Sequence, residues 1–404
     1  MRILAATALG LCLLGCRAAA QDRLELAGLI DLRLVHSTGA ESYLDGGPGL
    51  LRFDSTQDGL RLGEAVLSGK LRITDTLNFN LVASSFGDHN NAWGALSEAY
   101  LEYRPYPTGA WRFRARLGAF HMPVSLEHRG VGWTTVYSLT PSAINTWMGE
   151  EFRTIGAEGE ARWRDLDGRI PGDFALIAAV YGWNDPAGVL LADRGFALSD
   201  RSSTVFGHLS VPPLDFYKEL DHRAGAYGGA TWRRGELIEL RALHYDNRAD
   251  PGARDGNNFA WRTRFTSFGA RFEPGTRLTL IAQFIEGATF VGPDSAGDGQ
   301  FKMNFRAAFA LGSLDFGPGR LTARYDDFAT KQLRGYFFGP PSDQTGHAWT
   351  LAWLQQLGEH WELCAEWMQV KSSFPPRAEY HNTNPSLTET LIQAAVRYHF
   401  RWHD

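Results

Sequence analysis

Apolar and polar side chains alternate along most of the chain with a period of two. The clearest stretches are 24–34, 77–86, 95–103, 111–119, 155–163, 174–181 and 302–312. Successive side chains of an extended strand point to opposite faces, so each stretch predicts a half-buried strand with its polarity divided. In 111–119, Trp111, Phe113, Ala115, Leu117 and Ala119 share one parity, and Arg112, Arg114 and Arg116 take the other. In 302–312, Met303, Phe305, Ala307, Phe309 and Leu311 oppose Lys302, Asn304, Arg306, Ala308 and Ala310. Several runs approach ten residues, longer than the five or six usual in soluble sheets.

The connections alternate between two kinds. Short, turn-forming ones lie at 74–76, 105–109, 164–173, 233–236, 273–276, 315–319 and 357–360, rich in Gly, Pro and Asp. Long ones lie at 36–58, 87–94, 121–151, 184–221, 246–260, 288–300, 330–346 and 372–389. Together they join about sixteen antiparallel strands, an even number with both ends on the short-turn side, the plan of a transmembrane β-barrel. A soluble propeller remains the rival, since the later turns recur at roughly the 40-residue spacing of a blade. Aromatic placement favours the barrel. Tyr103, Trp111, Trp163, Trp232, Phe272, Trp361 and Tyr398 share the apolar phase beside short turns or the C-terminus, as an interfacial girdle would.

Composition agrees with a folded β-protein: 44 glycines, 13% aromatic residues and 44% hydrophobic residues in 404. The formal charge of -5 gives no reason to expect nucleic acid as a partner. Residues 1–20 read as an export signal, with Arg2 as the basic region, residues 3–15 as the apolar region and Ala18-Ala19-Ala20 as the cleavage site. Leu13-Leu14-Gly15-Cys16 offers a poorer match to a lipoprotein box. Cleavage after Ala20 removes Cys12 and Cys16, leaving Cys364 alone and residues 21–404 as the barrel domain.

If the apolar phase faces lipid, the other faces the lumen. Arg112, Arg114 and Arg116 then form a row on the channel wall, joined by Lys70, Arg72, Lys302, Arg306, Arg320, Arg324 and Arg397. Such rows concentrate anions. Glu98, Glu102, Glu158 and Glu160 lie on the flanking strands and could instead pair the row off. The long third connection carries Met122, Val124, Leu126, Trp133, Tyr137, Leu139, Ile144 and Trp147, too many apolar groups for a loop waving in water. Folded into the barrel, it would set Glu127, His128 and Arg129 at a constriction; the other possibility is an external loop packed on a neighbour.

Residues 97–128 and 150–163 resemble the phosphate-selective porins of Gram-negative outer membranes. The likeness lies in an Ala-Tyr strand, an arginine-bearing strand ending Gly118-x-Phe120-x-x-Pro123-x-x-x-Glu127, and a strand opening around Arg153 and Gly156. It implies a trimeric sixteen-stranded channel in the outer membrane, an inward third loop, and anions such as phosphate among the solutes. The closing segment 390–400 resembles the last strand of such barrels, except that Arg401 to Asp404 follow its terminal Phe400. Small residues at Ala224, Ala226, Gly228 and Ala230, and at Ala157, Gly159 and Ala161, suit close contact between subunits. No Ser/His/Asp grouping, metal-ligand spacing or phosphate loop stands out, so neither catalysis nor a metal or other cofactor is expected. A receptor barrel that binds without conducting is the alternative.

Overall fold

In the computed structural model, the described residues are 23–403 except 88–94, 167–170, 206–207, 210–213, 216, 257, 293–299 and 336–339. The expected leader, the tip of the second long loop, Phe206 and Phe216 therefore lie outside them. Sixteen antiparallel strands close into one barrel in sequence order. They are β1 (Leu24–Ser37), β2 (Gly59–Arg72), β3 (Leu77–Ser85), β4 (Ala95–Tyr103), β5 (Trp111–Phe120), β6 (Thr154–Trp163), β7 (Asp173–Gly182), β8 (Gly225–Arg234), β9 (Ile238–Asp246), β10 (Arg262–Phe272), β11 (Leu278–Val291), β12 (Phe301–Phe316), β13 (Gly319–Arg334), β14 (Gln344–Leu357), β15 (Trp361–Ser373) and β16 (Ser386–His403). Closure pairs β1 with β16 from Glu25↔His403 to Ser37↔Leu391, which removes both sheet edges. The strand therefore runs on through Arg401 and Trp402 rather than stopping at Phe400.

Short and long connections segregate to opposite ends, as the turn chemistry predicts. At the short-turn end the outward aromatics stand side by side: Trp111, Trp163, Phe174 and Trp232 are cross-strand neighbours, and Trp361 lies 4.8 Å from Tyr398 between ring centroids. The outer wall above them is apolar and exposed, with Leu32, Leu34, Leu117, Leu176, Val180, Leu351 and Ile392 among its side chains. On β5, opposite Tyr100 of β4, Gly118 has φ +135°, and a Cβ there would sit 2.3 Å from the Ala99 carbonyl oxygen. A side chain at that position would push the two strands apart.

The long loops fill the barrel from within. The third loop enters the lumen and forms α1 (Ala143–Glu151), capped by the Ser142 side chain and buried on every face. Trp147 is its centre, 4.8 Å from Phe152 and from Phe305 between ring centroids and 5.9 Å from Phe196 and Phe265. The fourth loop packs beside it with α2 (Val189–Arg194), and Leu50, Leu51 and Phe53 of the first loop join the same core.

This core sets which phase faces inward. On β5 the apolar side chains are outside and the arginines inside, as expected. On β12 the order is reversed: Met303, Phe305, Phe309 and Leu311 are buried against the loops, and Asn304 and Arg306 are exposed outside. Lys302 and Arg306, expected on the channel wall, thus stand on the outer face. The physical reason is that an apolar loop inside the barrel needs an apolar inner wall.

That orientation can be read chemically in a variant lacking Cys364. A membrane-impermeant thiol reagent should react with Arg112→Cys from the lumen, and Met303→Cys should be shielded by the third loop. Equal labelling of the two sites would contradict the inward core.

Candidate functional site

At the short-turn end the lumen opens into a vestibule of about 490 Å³, whose lining includes Arg104, Arg112, Arg114, Arg162, Arg233 and Arg241 but one carboxylate, Glu160. Each arginine takes the inward parity of its strand or leaves it at the rim. The row on β5 is graded. Arg116 is buried, 2.6 Å from Glu158 and 4.0 Å from the Phe120 ring centroid. Arg114 is shared between Glu160 at 2.8 Å and Glu158 at 3.4 Å. Arg112 meets no carboxylate among the described residues; it faces Arg162 across the strand pair and donates to the Gly109 and Trp111 carbonyls. Of the acids expected to oppose the row, Glu158 and Glu160 do so, Glu102 binds Arg104 at 2.8 Å, and Glu98 accepts from the His121 amide. Pairing thus neutralises the deep end of the row and leaves its mouth cationic.

Arg233, Arg241 and Arg271 gather round Glu239 at 2.9, 2.6 and 3.3 Å. This group, with Arg104 and Arg162, was missed by the sequence reading. The usable signal was parity: Arg233, Glu239, Arg241 and Arg271 share the inward phase beside two short turns.

The remaining expected residues have other tasks. Lys70 is tied to Glu25 at 3.1 Å across β1 and β2, and Arg72 is exposed at the short-turn rim. Arg320 and Arg324 point inward but hold the third loop: Arg320 donates to the Val136 carbonyl, and fully buried Arg324 donates to those of Thr140 and Pro141 while pairing with Asp326 at 2.7 Å. Glu127 is sealed under the loop, accepting from Ser142 and Asn145, so it cannot meet a solute. His128 stacks on Trp133 at 3.8 Å, and His121 stacks on the opposite face at 4.1 Å. Arg129 is half exposed, 3.6 Å from Glu273.

Beyond the vestibule the lumen tightens. Between the third loop and the β1/β16 wall lies a gap of about 20 Å³, bordered by Arg33, Glu64, His128, Trp133, Asp200 and Arg397. That is room for about one water. An ionic seam crosses it: Asp31 holds Arg33 at 2.8 Å and Arg397 at 2.7 Å, and Asp200 from the fourth loop holds Arg33 at 2.6 Å and Arg52 at 2.9 Å. Burial alone would raise the Asp200 carboxyl, but Arg33 and Arg52 outweigh it and hold it below the usual range. Burial drives the His128 ring down to about 4.

No family model matches the sequence, and no curated protein matches it. Solved structures match the fold at low identity. The outer membrane channel DcaP of Acinetobacter baumannii is 13% identical over 96% of this chain and 99% of its own, with a TM-score of 0.56. An anion-selective porin from Comamonas acidovorans is 13% identical over 93% and 99%, with a TM-score of 0.54. A trimer form of OmpT from Vibrio cholerae is 11% identical over 93% and 99%, with a TM-score of 0.51. The chain shares the sixteen-stranded fold of these outer-membrane proteins.

Two outcomes follow for the seam and the loop. Asp200→Asn removes the charge that binds the fourth loop to Arg33 and Arg52, a loss of about 3 kcal/mol or more for a buried pair. If the lumen conducts, single-channel recordings should show larger steps and a shift toward anions; unchanged steps would place the seam off the conducting path. For His128, the unfolded loop takes up a proton below about pH 6.5, and the folded loop refuses it until about pH 4. The stability of the packed loop, full above that window, therefore falls as pH drops through it and levels off below. The protection factors of the third-loop amides, corrected for the slower intrinsic exchange in acid, should fall from pH 7 to pH 4.5, and His128→Asn should remove part of that fall.

Proposed function

We propose that the chain is an outer-membrane channel for passive diffusion of small hydrophilic solutes, with a preference for anions. The barrel's exposed apolar wall supports a membrane setting, because a contiguous surface of Leu, Ile, Val and Phe of that extent is unstable in water. Export by a leader cleaved after Ala20 is part of the same reading. The observation that carries the solute preference is the vestibule: arginines from four strands, with Arg104 just past the end of β4, converge on it, and Arg112 has no carboxylate partner among the described residues. A wet, cationic mouth raises the local concentration of anions and lowers their barrier to access.

Phosphate and small carboxylates are the solutes whose oxygens match guanidinium forks such as Arg112 and Arg162. The homotrimer belongs here too. Ala226, Gly228 and Ala230 on β8, with Ala157, Gly159 and Ala161 on β6, lie on the outward face and leave a shallow strip where a second subunit could approach; Ala224 precedes the strand. A barrel that binds a solute without passing it is the second reading, and the tight seam across the lumen is what favours it.

Purified protein in a planar bilayer should give discrete conductance steps with an anion-biased reversal potential in a salt gradient. Arg112→Ala with Arg162→Ala should move that potential toward cations at low salt, an effect that fades as the Debye length falls from about 30 Å at 0.01 M to about 3 Å at 1 M. A silent bilayer favours the binding barrel, and an unchanged reversal potential at low salt removes the anion preference.

A further inference from the structure

Lys302 and Arg306 belong to a polar field on the outer wall that the channel reading leaves unused. Between β9 and β13 the outward apolar positions give out early. Ile238, Leu240 and Ala242 are followed by His244, Phe272, Ala270 and Phe268 by Thr266, and Leu280, Ala282 and Phe284 by Glu286. The change comes about 20 Å along the strands from the short turns. Above it is an outward groove of about 490 Å³, with Ala288 and Ala329 in its floor and Arg264, Asn304, Arg306 and Lys331 along its sides.

The charges here are unevenly satisfied. Arg262 pairs with Asp246 at 3.0 Å and Lys331 with Asp343 at 2.5 Å. Arg264 and Arg306 close no ion pair among the described residues, although Glu286 is the direct cross-strand neighbour of Arg306. Arg264 and Lys302 also lie 5.7 and 6.0 Å from the Phe290 ring centroid, on the same face. A guanidinium on a lipid-facing wall is costly unless an anion meets it.

In the trimeric ring of the proposed reading, the neighbouring barrel wall does not supply that anion. Ring assemblies join different faces of each subunit. Among the described strand residues, the outward carboxylates are Asp246, Glu286 and Asp327, all on this same wall. Directly below Arg306, the outward positions of β12 are small, Ala308, Ala310 and Gly312, and Ala282 and Ala270 widen this trough beside Ala310, while Phe284 and Phe268 stand between those two and the groove. Small side chains there leave space for an acyl chain lying along the barrel.

We infer that the groove binds the phosphate-bearing headgroup of a membrane lipid, with Arg264 and Arg306 as the phosphate ligands and the alanine trough beneath them seating an acyl chain. The inference rests on the outer-membrane reading. Basic pockets on membrane walls recognise anionic headgroups by this charge pairing, and paired guanidiniums favour phosphate oxygens. Glu286 at the edge of the groove opposes the bound charge and weakens the site.

The test uses the full barrel in mild detergent, incubated with diphosphoryl lipid A or with the same lipid after phosphate removal, and read by native mass spectrometry. Wild type should retain the phosphorylated lipid about tenfold better than the dephosphorylated one, the worth of one charge-assisted contact. Arg264→Glu with Arg306→Glu should abolish the difference without altering conductance steps, and Glu286→Gln should tighten binding. The comparison of the two lipids needs no variant, so a misfolded double variant leaves the test intact. Equal retention of both lipids overturns the proposal. So does displacement by millimolar inorganic phosphate, which marks a free-anion site, or loss of an oligomer in the double variant with lipid binding intact, which marks a subunit contact. A protein that stays soluble without detergent and never conducts fails the channel reading instead.

Discussion

The burial of Trp147 inside the barrel decides most of what the rest of the chain does. A closed sheet gives every strand one inner and one outer face, and parity fixes each side chain to one of them. Once the third loop brings α1 into the lumen, the strands it touches must present Phe265, Phe305, Phe309 and Ile285 inward, because an apolar helix against a polar wall would leave both unsatisfied. Their polar phase is then forced outside. The short-turn halves of β5 to β9 bound the vestibule instead, and there the arginines and glutamates take the inner face. One packing event thus divides the barrel into a filled side and a wet one.

The same division sorts the arginines into two trades. Arg324 and Arg153 from buried positions, and half-buried Arg320, donate to loop carbonyls, so their charge is spent on holding chain segments with no strand to pair with. A guanidinium suits this because its several donors can serve carbonyls and a carboxylate at once. Arg112, Arg162 and Arg233 keep contact with the vestibule and with its field. What separates the trades is the presence of a loop overhead, which the side chain's own strand does not encode.

This explains what the sequence could and could not tell. Strand positions, the alternation of turns, the aromatic girdle and the inward third loop follow from local periodicity and composition, which act within ten residues or so. The inward sense of β12 does not. Met303 to Leu311 alternate as sharply as Trp111 to Ala119, and alternation is identical whichever phase is buried. The distinguishing fact is the apolar content of a loop some 150 residues earlier, which has to find a wall to match. The seam is still less visible, since Asp31, Arg52, Asp200 and Arg397 are brought together by closure and loop packing.

The narrow seam bears on how any solute passes. Loops anchored by buried ion pairs cannot swing freely, because parting one such pair without a substitute costs several kcal/mol. On the proposed channel reading, an anion arriving from the vestibule would itself be a substitute: it could replace Asp31 at Arg33 or Arg397, or Asp200 at Arg33, so the seam would part as the solute entered it. A cation has the carboxylates to exchange for, but must first cross the arginine mouth. In the proposed channel, selectivity and opening would then share one cause, the exchange of an internal counter-ion for a mobile one, with the vestibule field deciding which sign of charge arrives to make that exchange.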